Sequence, residues 1–243
     1  MTNNYCDLET GVCQPSSLSE LKNIGSDSNM DRTEIIYVGD PMCSWCWGIS
    51  PALKELRDHY KGKLAYRIVV GGLRPGGGDE WDDQMKSFLK HHWSQVSERS
   101  GQPFGYKLFD LDDFDYDTEP ACRAVVAARP FLGHNEMDFF EAIQRKFYVE
   151  SQDPSSVHFY ASICDQFNIN FGEFEERFNS EDVMHETVDE FNLNRSWGVT
   201  GYPTVVLHHE NKLNLVSNGF TTFEQMKAKV EALIQTAKKI TAD

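Results

Sequence analysis

Cys43 and Cys46, separated by Ser44 and Trp45, are the residues of this chain best spaced for chemistry. Two thiols one helical turn apart can close a small disulfide and reopen it. A helix N-terminus stabilises the thiolate that such exchange requires. C-x-x-C also builds half of many zinc sites, so the spacing alone does not separate redox chemistry from metal binding. The setting favours redox.

The elements that must position the pair can be read on either side of it. Glu34 to Gly39 is a short run rich in β-branched and aromatic residues and predicts a buried strand. Asp40-Pro41 then breaks the ladder, because proline has no N–H to donate. Past the cysteines, Ile49, Leu53, Leu56 and Tyr60 recur at helical spacing, with Pro51 inside the helix as an expected kink. Leu64 to Val70 is nearly continuous apolar chain, as in a strand covered on both faces, and Gly71-Gly72-Leu73-Arg74-Pro75 ends it. Strand, helix and strand form a right-handed crossover. The arrangement resembles the start of a thioredoxin fold.

The second half lies near the C-terminus. Pro203 enters a strand over Val205 to His208, Asn211 turns the chain, and Lys212 to Val216 returns as its partner. Thr221 with Glu224 has the pattern of a capping box. It opens a helix whose Phe223, Met226, Val230, Leu233, Ile234 and Ala237 share a face. A proline before a strand is usually an edge-strand entry. After a C-x-x-C crossover unit, Pro203 is expected to be cis and to face the cysteines.

Between the halves, apolar residues at three- and four-residue intervals predict helices over 81–100, 120–131, 137–147, 157–167 and 171–197. Thr118-Glu119-Pro120 supplies a cap, a first-turn acid and an early proline. The expected fold is α/β, a thioredoxin fold with a large all-helical insertion between its second and third strands. Residues 31–73 and 198–243 would form the thioredoxin-like domain, 74–197 the insertion, and 1–30 a tail.

Four segments carry a more specific likeness: Asp40 to Gly48, Gly71 to Pro75, Asp117 to Ala124, and Gly201-Tyr202-Pro203. Together, in this order, they resemble the FrnE-like protein-disulfide isomerases of the DsbA superfamily, over roughly residues 33–240. The resemblance implies Cys43 as an exposed nucleophile, Cys46 as the resolving thiol, and Pro203 lying against them with the Tyr202 backbone free to pair with a peptide. It implies no resident cofactor, with glutathione or a thioredoxin-type protein as reductant. Ser44-Trp45 replaces the Pro-His of the best-known oxidants of the superfamily, which implies a less oxidising pair. Thioredoxin-like proteins often place a buried carboxylate six residues before the nucleophile; here that position is Tyr37. Asp40 is an alternative proton acceptor, although Asp before Pro in a turn more often holds the turn.

Met42, Trp45, Trp47 and Tyr202 cluster by sequence near the motif. They serve either as a roof over the helix or as a partly exposed apolar rim for extended peptide. Cys6 and Cys13 flank Gly11 and form a candidate second redox pair, with idle thiols or metal binding as the other readings. Cys122 and Cys164 sit on apolar stripes and read as small core residues. The adjacent pairs His91-His92 and His208-His209 lack the spacing of a shared metal, so no metal site is expected.

The chain's 243 residues can bury a core without disulfide staples. A formal charge of −15 argues against nucleic acid and anionic membrane as partners. With no transmembrane stretch or secretory pattern, the expected location is the cytoplasm, where the pair would rest as a dithiol and favour reductase or isomerase duty. The expected partners are disulfide- or thiol-containing client proteins. Two rival functions remain: a glutathione-dependent isomerase or transferase of small aromatic or polyketide substrates on the same architecture, and a zinc-holding or chaperone-like module.

Overall fold

The computed structural model describes residues 33–240 and, near the N-terminus, the backbone of Cys6–Asp7 and Val12–Cys13. Those two short segments are strands β1 and β2, paired antiparallel with Cys6 opposite Cys13. Gly11 and the rest of the 1–30 tail lie outside the described residues.

The central sheet contains β3 (Glu34–Gly39), β4 (Ala65–Val70), β5 (Thr204–His209) and β6 (Lys212–Asn218), in the order β4-β3-β5-β6. β3 runs parallel to β4 and antiparallel to β5, and β5 to β6 is a hairpin. Parallel pairing of β3 with β4 requires a crossover, which is α1 (Ser44–Tyr60). Glu210 and Asn211 both take positive φ, 50° and 59°, as a two-residue turn between twisted strands demands. Ile35, Ile36, Tyr37 and Val38 are all buried, which explains why β3 reads as an unbroken apolar run rather than an alternating one.

The helical block lies between β4 and β5: α2 (Asp83–Ser100), α3 (Glu119–Leu132), α4 (Glu136–Tyr148), α5 (Ala161–Gln166), α6 (Phe171–Phe178) and α7 (Glu181–Ser196). α8 (Phe223–Ile240) closes the fold against α1 and β6. α2 and α4 pack on α1, and α3 and α7 pack on β4, so the insertion shares one core with the sheet.

Several local expectations are corrected. The segment 171–197 is two helices, because Ser180 caps α7 by accepting from Val183 N, and a capping Ser competes with helix continuation. The segment 157–167 opens with a 3₁₀ turn over Val157–Tyr160 before α5 begins. α2 starts after Trp81, where Asp82 accepts from Met85 N. The capping box of α8 is Thr222 with Gln225, one residue later than the Thr221–Glu224 reading. Thr118 does not cap α3 with its side chain. Asp117 instead accepts from Glu119 N, which releases Thr118 for the site described next.

Candidate active site around the Cys43–Cys46 pair

The pair is set by what ends β3 and starts α1. Asp40 bends the chain in an Asx turn, with Oδ1 accepting from Met42 N at 2.8 Å and its carbonyl accepting from Cys43 N at 3.0 Å. Cys43 therefore stands at the N-cap of α1 in extended conformation, and its carbonyl accepts from Trp47 N. Cys46 follows one turn in. Neither sulfur is in a disulfide, so the structure represents the reduced dithiol.

Asp40 is fully buried and is the polar hub beneath this turn. Its Oδ2 accepts from Leu73 N at 2.7 Å and from the Cys122 thiol at 3.4 Å, and Thr118 adds a further hydrogen bond. Burial raises the Asp40 pKa, and these donors oppose the rise. The first and third of the four sequence motifs, together with the Gly71–Pro75 loop, are thus tied through one carboxylate. Cys122 is a core cysteine as expected, but its hydrogen bond to Asp40 was not visible along the chain. Burial pushes its thiol well above the ordinary range.

Burial also pushes Cys46 well above the usual thiol range, and the neighbouring Cys43 adds to the rise. The Tyr37 hydroxyl and the Asp40 backbone N–H pull in the other direction. The Cys43 thiol donates to the Tyr202 carbonyl at 3.6 Å, and the Tyr202–Pro203 peptide bond is cis. Tyr202 is itself fixed through its hydroxyl, which donates to Gly71 O at 2.6 Å. A Cβ at Gly71 would come within 2.6 Å of the Tyr202 ring, so only glycine allows this approach.

One expectation about access is overturned: Cys43 is 0% exposed rather than an exposed nucleophile. Of the two readings of Met42, Trp45 and Trp47, burial to at most 2% exposure favours the roof over the rim. Trp45 lies between His92 of α2, at 6.0 Å, and Phe220, at 5.6 Å, with the Arg99 guanidinium over its ring. Trp47 donates to Pro103 O and stacks on Tyr148. Met42 holds Tyr116 through its carbonyl at 2.8 Å. The insertion folds against the motif, so these residues roof the helix, and Tyr202 is buried with them. Cys164 is a buried core residue distant in function from the pair, its thiol pushed up to about 11 chiefly by burial.

The side chains of Cys6 and Cys13 lie outside the described residues; their backbone register alone brings them opposite each other. Among the described residues, no group of three His, Cys, Asp or Glu side chains could hold a metal ion. None of the described helices is long and apolar enough to cross a membrane.

Comparison with known proteins agrees with this architecture. A candidate protein disulfide isomerase from Nitrosomonas europaea is 30% identical, with a TM-score of 0.78 over 85% of this chain and 99% of that one. The cytosolic disulfide reductase DsbM from Pseudomonas aeruginosa is 25% identical, with a TM-score of 0.67 over 84% of this chain and 99% of DsbM. DsbM is also known in a structure with GSH, to which this chain is 27% identical with a TM-score of 0.62. DsbA of P. aeruginosa, at 12% identity and a TM-score of 0.59, shares the fold. Among curated proteins, the ClpXP adapter protein SpxH of Bacillus subtilis is 21% identical over 183 residues, 74% of this chain. The chain spans 60% of the length of that relative. The chain thus shares its fold with proteins described as a disulfide isomerase and a disulfide reductase. The model of the family described as thioredoxin matches residues 36–228, most of the chain, which therefore belongs to the thioredoxin family with a DsbA-like helical insertion.

Proposed function

We propose that the chain reduces or isomerises protein disulfides through a Cys43 mixed disulfide that Cys46 resolves. The observation that carries this reading is the placement of Cys43. Its sulfur stands at the N-cap of a 17-residue helix, one turn from the Cys46 thiol and 3.6 Å from the Tyr202 carbonyl. Backbone N–H groups at a helix start stabilise a thiolate there. Cys43 attacks one sulfur of the client disulfide and releases the other as a thiolate. Cys46 then attacks Cys43, frees the client and leaves a Cys43–Cys46 disulfide. Two electrons pass to the client, and an external thiol must restore the pair.

Burial of Cys43 requires the roof around Met42, Trp45 and Tyr202 to shift before a protein disulfide can reach the sulfur. The DsbM relative has a structure with GSH and is named a cytosolic reductase, which supports glutathione as electron donor and a cytoplasmic location here.

The test is trapping. Cys46→Ala should accumulate mixed disulfides with clients, and Cys43→Ser should abolish both trapping and reduction. Trapping that survives Cys43→Ser would refute Cys43 as nucleophile. Equilibration in glutathione buffers sets the direction of net electron flow. A potential near about −270 mV marks a reductase, and one near about −180 mV marks an isomerase. Activity that needs bound glutathione and survives Cys46→Ala would instead favour transfer or isomerisation of small substrates.

A further inference from the structure

Tyr37 occupies the strand position where thioredoxin-like proteins often carry a carboxylate, and its surroundings suit a different task. Its hydroxyl is fully buried and makes no well-formed hydrogen bond in the reduced protein. An orphaned buried polar group demands an explanation, since nearly all such groups find a partner. The polar group beside it is the Cys46 sulfur, and each of the two perturbs the other's ionisation.

The strand makes this approach by omission. Tyr37 and Gly39 share one face of β3, because successive side chains alternate. A Cβ at Gly39 would lie 2.2 Å from the Tyr37 hydroxyl and 2.3 Å from its ring carbon Cζ. With no side chain at Gly39, the ring folds forward along the strand toward its C-terminal end, where the cysteines stand. Phe140 packs edge-on against the ring at 5.6 Å. The groups facing Cys46 are Cys43, the Tyr37 hydroxyl and the Asp40 backbone N–H, with Tyr202 near the same sulfur.

We propose that the Tyr37 hydroxyl, admitted by Gly39, is the hydrogen-bond donor that stabilises the Cys46 thiolate while it resolves the mixed disulfide. The inference rests on the proposed roles of Cys43 and Cys46 and assigns a residue to the second step alone. A hydroxyl unpartnered beside a thiol gains a charge-assisted hydrogen bond when that thiol ionises, so it favours the reacting state over the resting one. Tyr37 is a donor and not a base: burial holds its own proton well above the ordinary tyrosine range. In the step, Cys46 loses its proton to solvent and attacks the Cys43 sulfur. The Cys43–Cys46 bond forms, the bond from Cys43 to the client sulfur breaks, and the client leaves as a thiolate. Tyr37 keeps its proton throughout.

The two steps separate in stopped-flow reaction with a symmetric aryl disulfide. Attack by Cys43 releases the first aryl thiolate, and resolution by Cys46 releases the second. A Cys6→Ser/Cys13→Ser background removes the N-terminal thiols, and Cys46→Ala marks the first phase. Tyr37→Phe should leave the first phase unchanged and slow the second on the order of tenfold. The pH midpoint of the second phase should rise by about one unit. Gly39→Ala, checked for folding by circular dichroism, should slow the same phase by displacing the hydroxyl. Equal second phases in Tyr37→Phe and its parent would overturn the role of Tyr37, as would slowing of both phases alike. A parent protein that releases no second equivalent would overturn the resolving role of Cys46 itself, a different result from either.

Discussion

The Cys43 thiol and the Tyr202 carbonyl meet at 3.6 Å across 159 positions of sequence. A short chain of bonds holds that meeting: Tyr202 is anchored through its hydroxyl to Gly71 O at 2.6 Å and to Asn194 Oδ1 at 3.2 Å, and Asn194 in turn donates to Val70 O and Gly71 O. The end of β4, the last turns of α7 and the entry to β5 are therefore locked to one another beside the motif.

Tyr202→Phe tests this lock. It removes one buried donor while Asn194 still serves Gly71 O, so the expected loss is about 1–2 kcal/mol in urea denaturation. Reduction of a model disulfide should fall as Tyr202 loosens from Cys43. A variant as stable as its parent would show that the hydroxyl contributes nothing to the fold.

Asp40→Asn should destabilise the protein even though it removes a buried charge. The amide keeps one acceptor oxygen for Met42 N or Leu73 N and turns an NH₂ toward the other donors. A buried donor left without a partner costs about 1–3 kcal/mol, which exceeds the relief expected from a carboxylate already hydrogen-bonded by four groups. Thermal denaturation measures the loss, and an unchanged midpoint would contradict the role of Asp40 as a hub.

His92 gives the fold a pH dependence of defined sign. Burial lowers its pKa from 6.5 to about 4, with His91 adding to the effect. The unfolded chain then takes up a proton that the folded chain refuses, so this contribution is present above pH 6.5 and is lost as pH falls toward about 4, by up to about 3 kcal/mol. His92 Nε2 has no hydrogen-bond partner, so His92→Leu sacrifices none at that atom. The Tm difference between pH 7 and 4.5 should shrink in that variant, and an equal difference in both proteins would place the proton elsewhere.

Cys6 and Cys13 stand opposite each other in the β1–β2 register. Directly opposed antiparallel residues have Cα atoms about 4.5–5.5 Å apart, within the span of a disulfide. Mild oxidation of a Cys43→Ser/Cys46→Ser variant should therefore consume two thiols within one chain, seen as a mass decrease of two hydrogens in the peptide 1–22 region. Both thiols remaining open to alkylation would leave them idle.

How much of this was legible in the chain follows from the range of each interaction. The C-x-x-C pair, the strands Glu34–Gly39 and Ala65–Val70, the Asn211 turn and the helical character of the insertion were readable, because each depends on residues within one or two turns of one another. The boundary between α6 and α7 and the shift of the α8 cap from Thr221 to Thr222 were not. There, neighbouring residues of equal local propensity compete, and small differences in packing choose between them.

The sequence by itself determined which atoms can exchange electrons and the order of elements that carries them. Tertiary structure decided their surroundings: Leu73 from one segment and Thr118 with Cys122 from another converge on Asp40, and α2 with Phe220 buries Trp45. It also decided that the Tyr37 ring lies over the gap left at Gly39. Burial and long-range hydrogen bonding are properties of what folds against a residue. No periodicity within a segment records which distant segment that is.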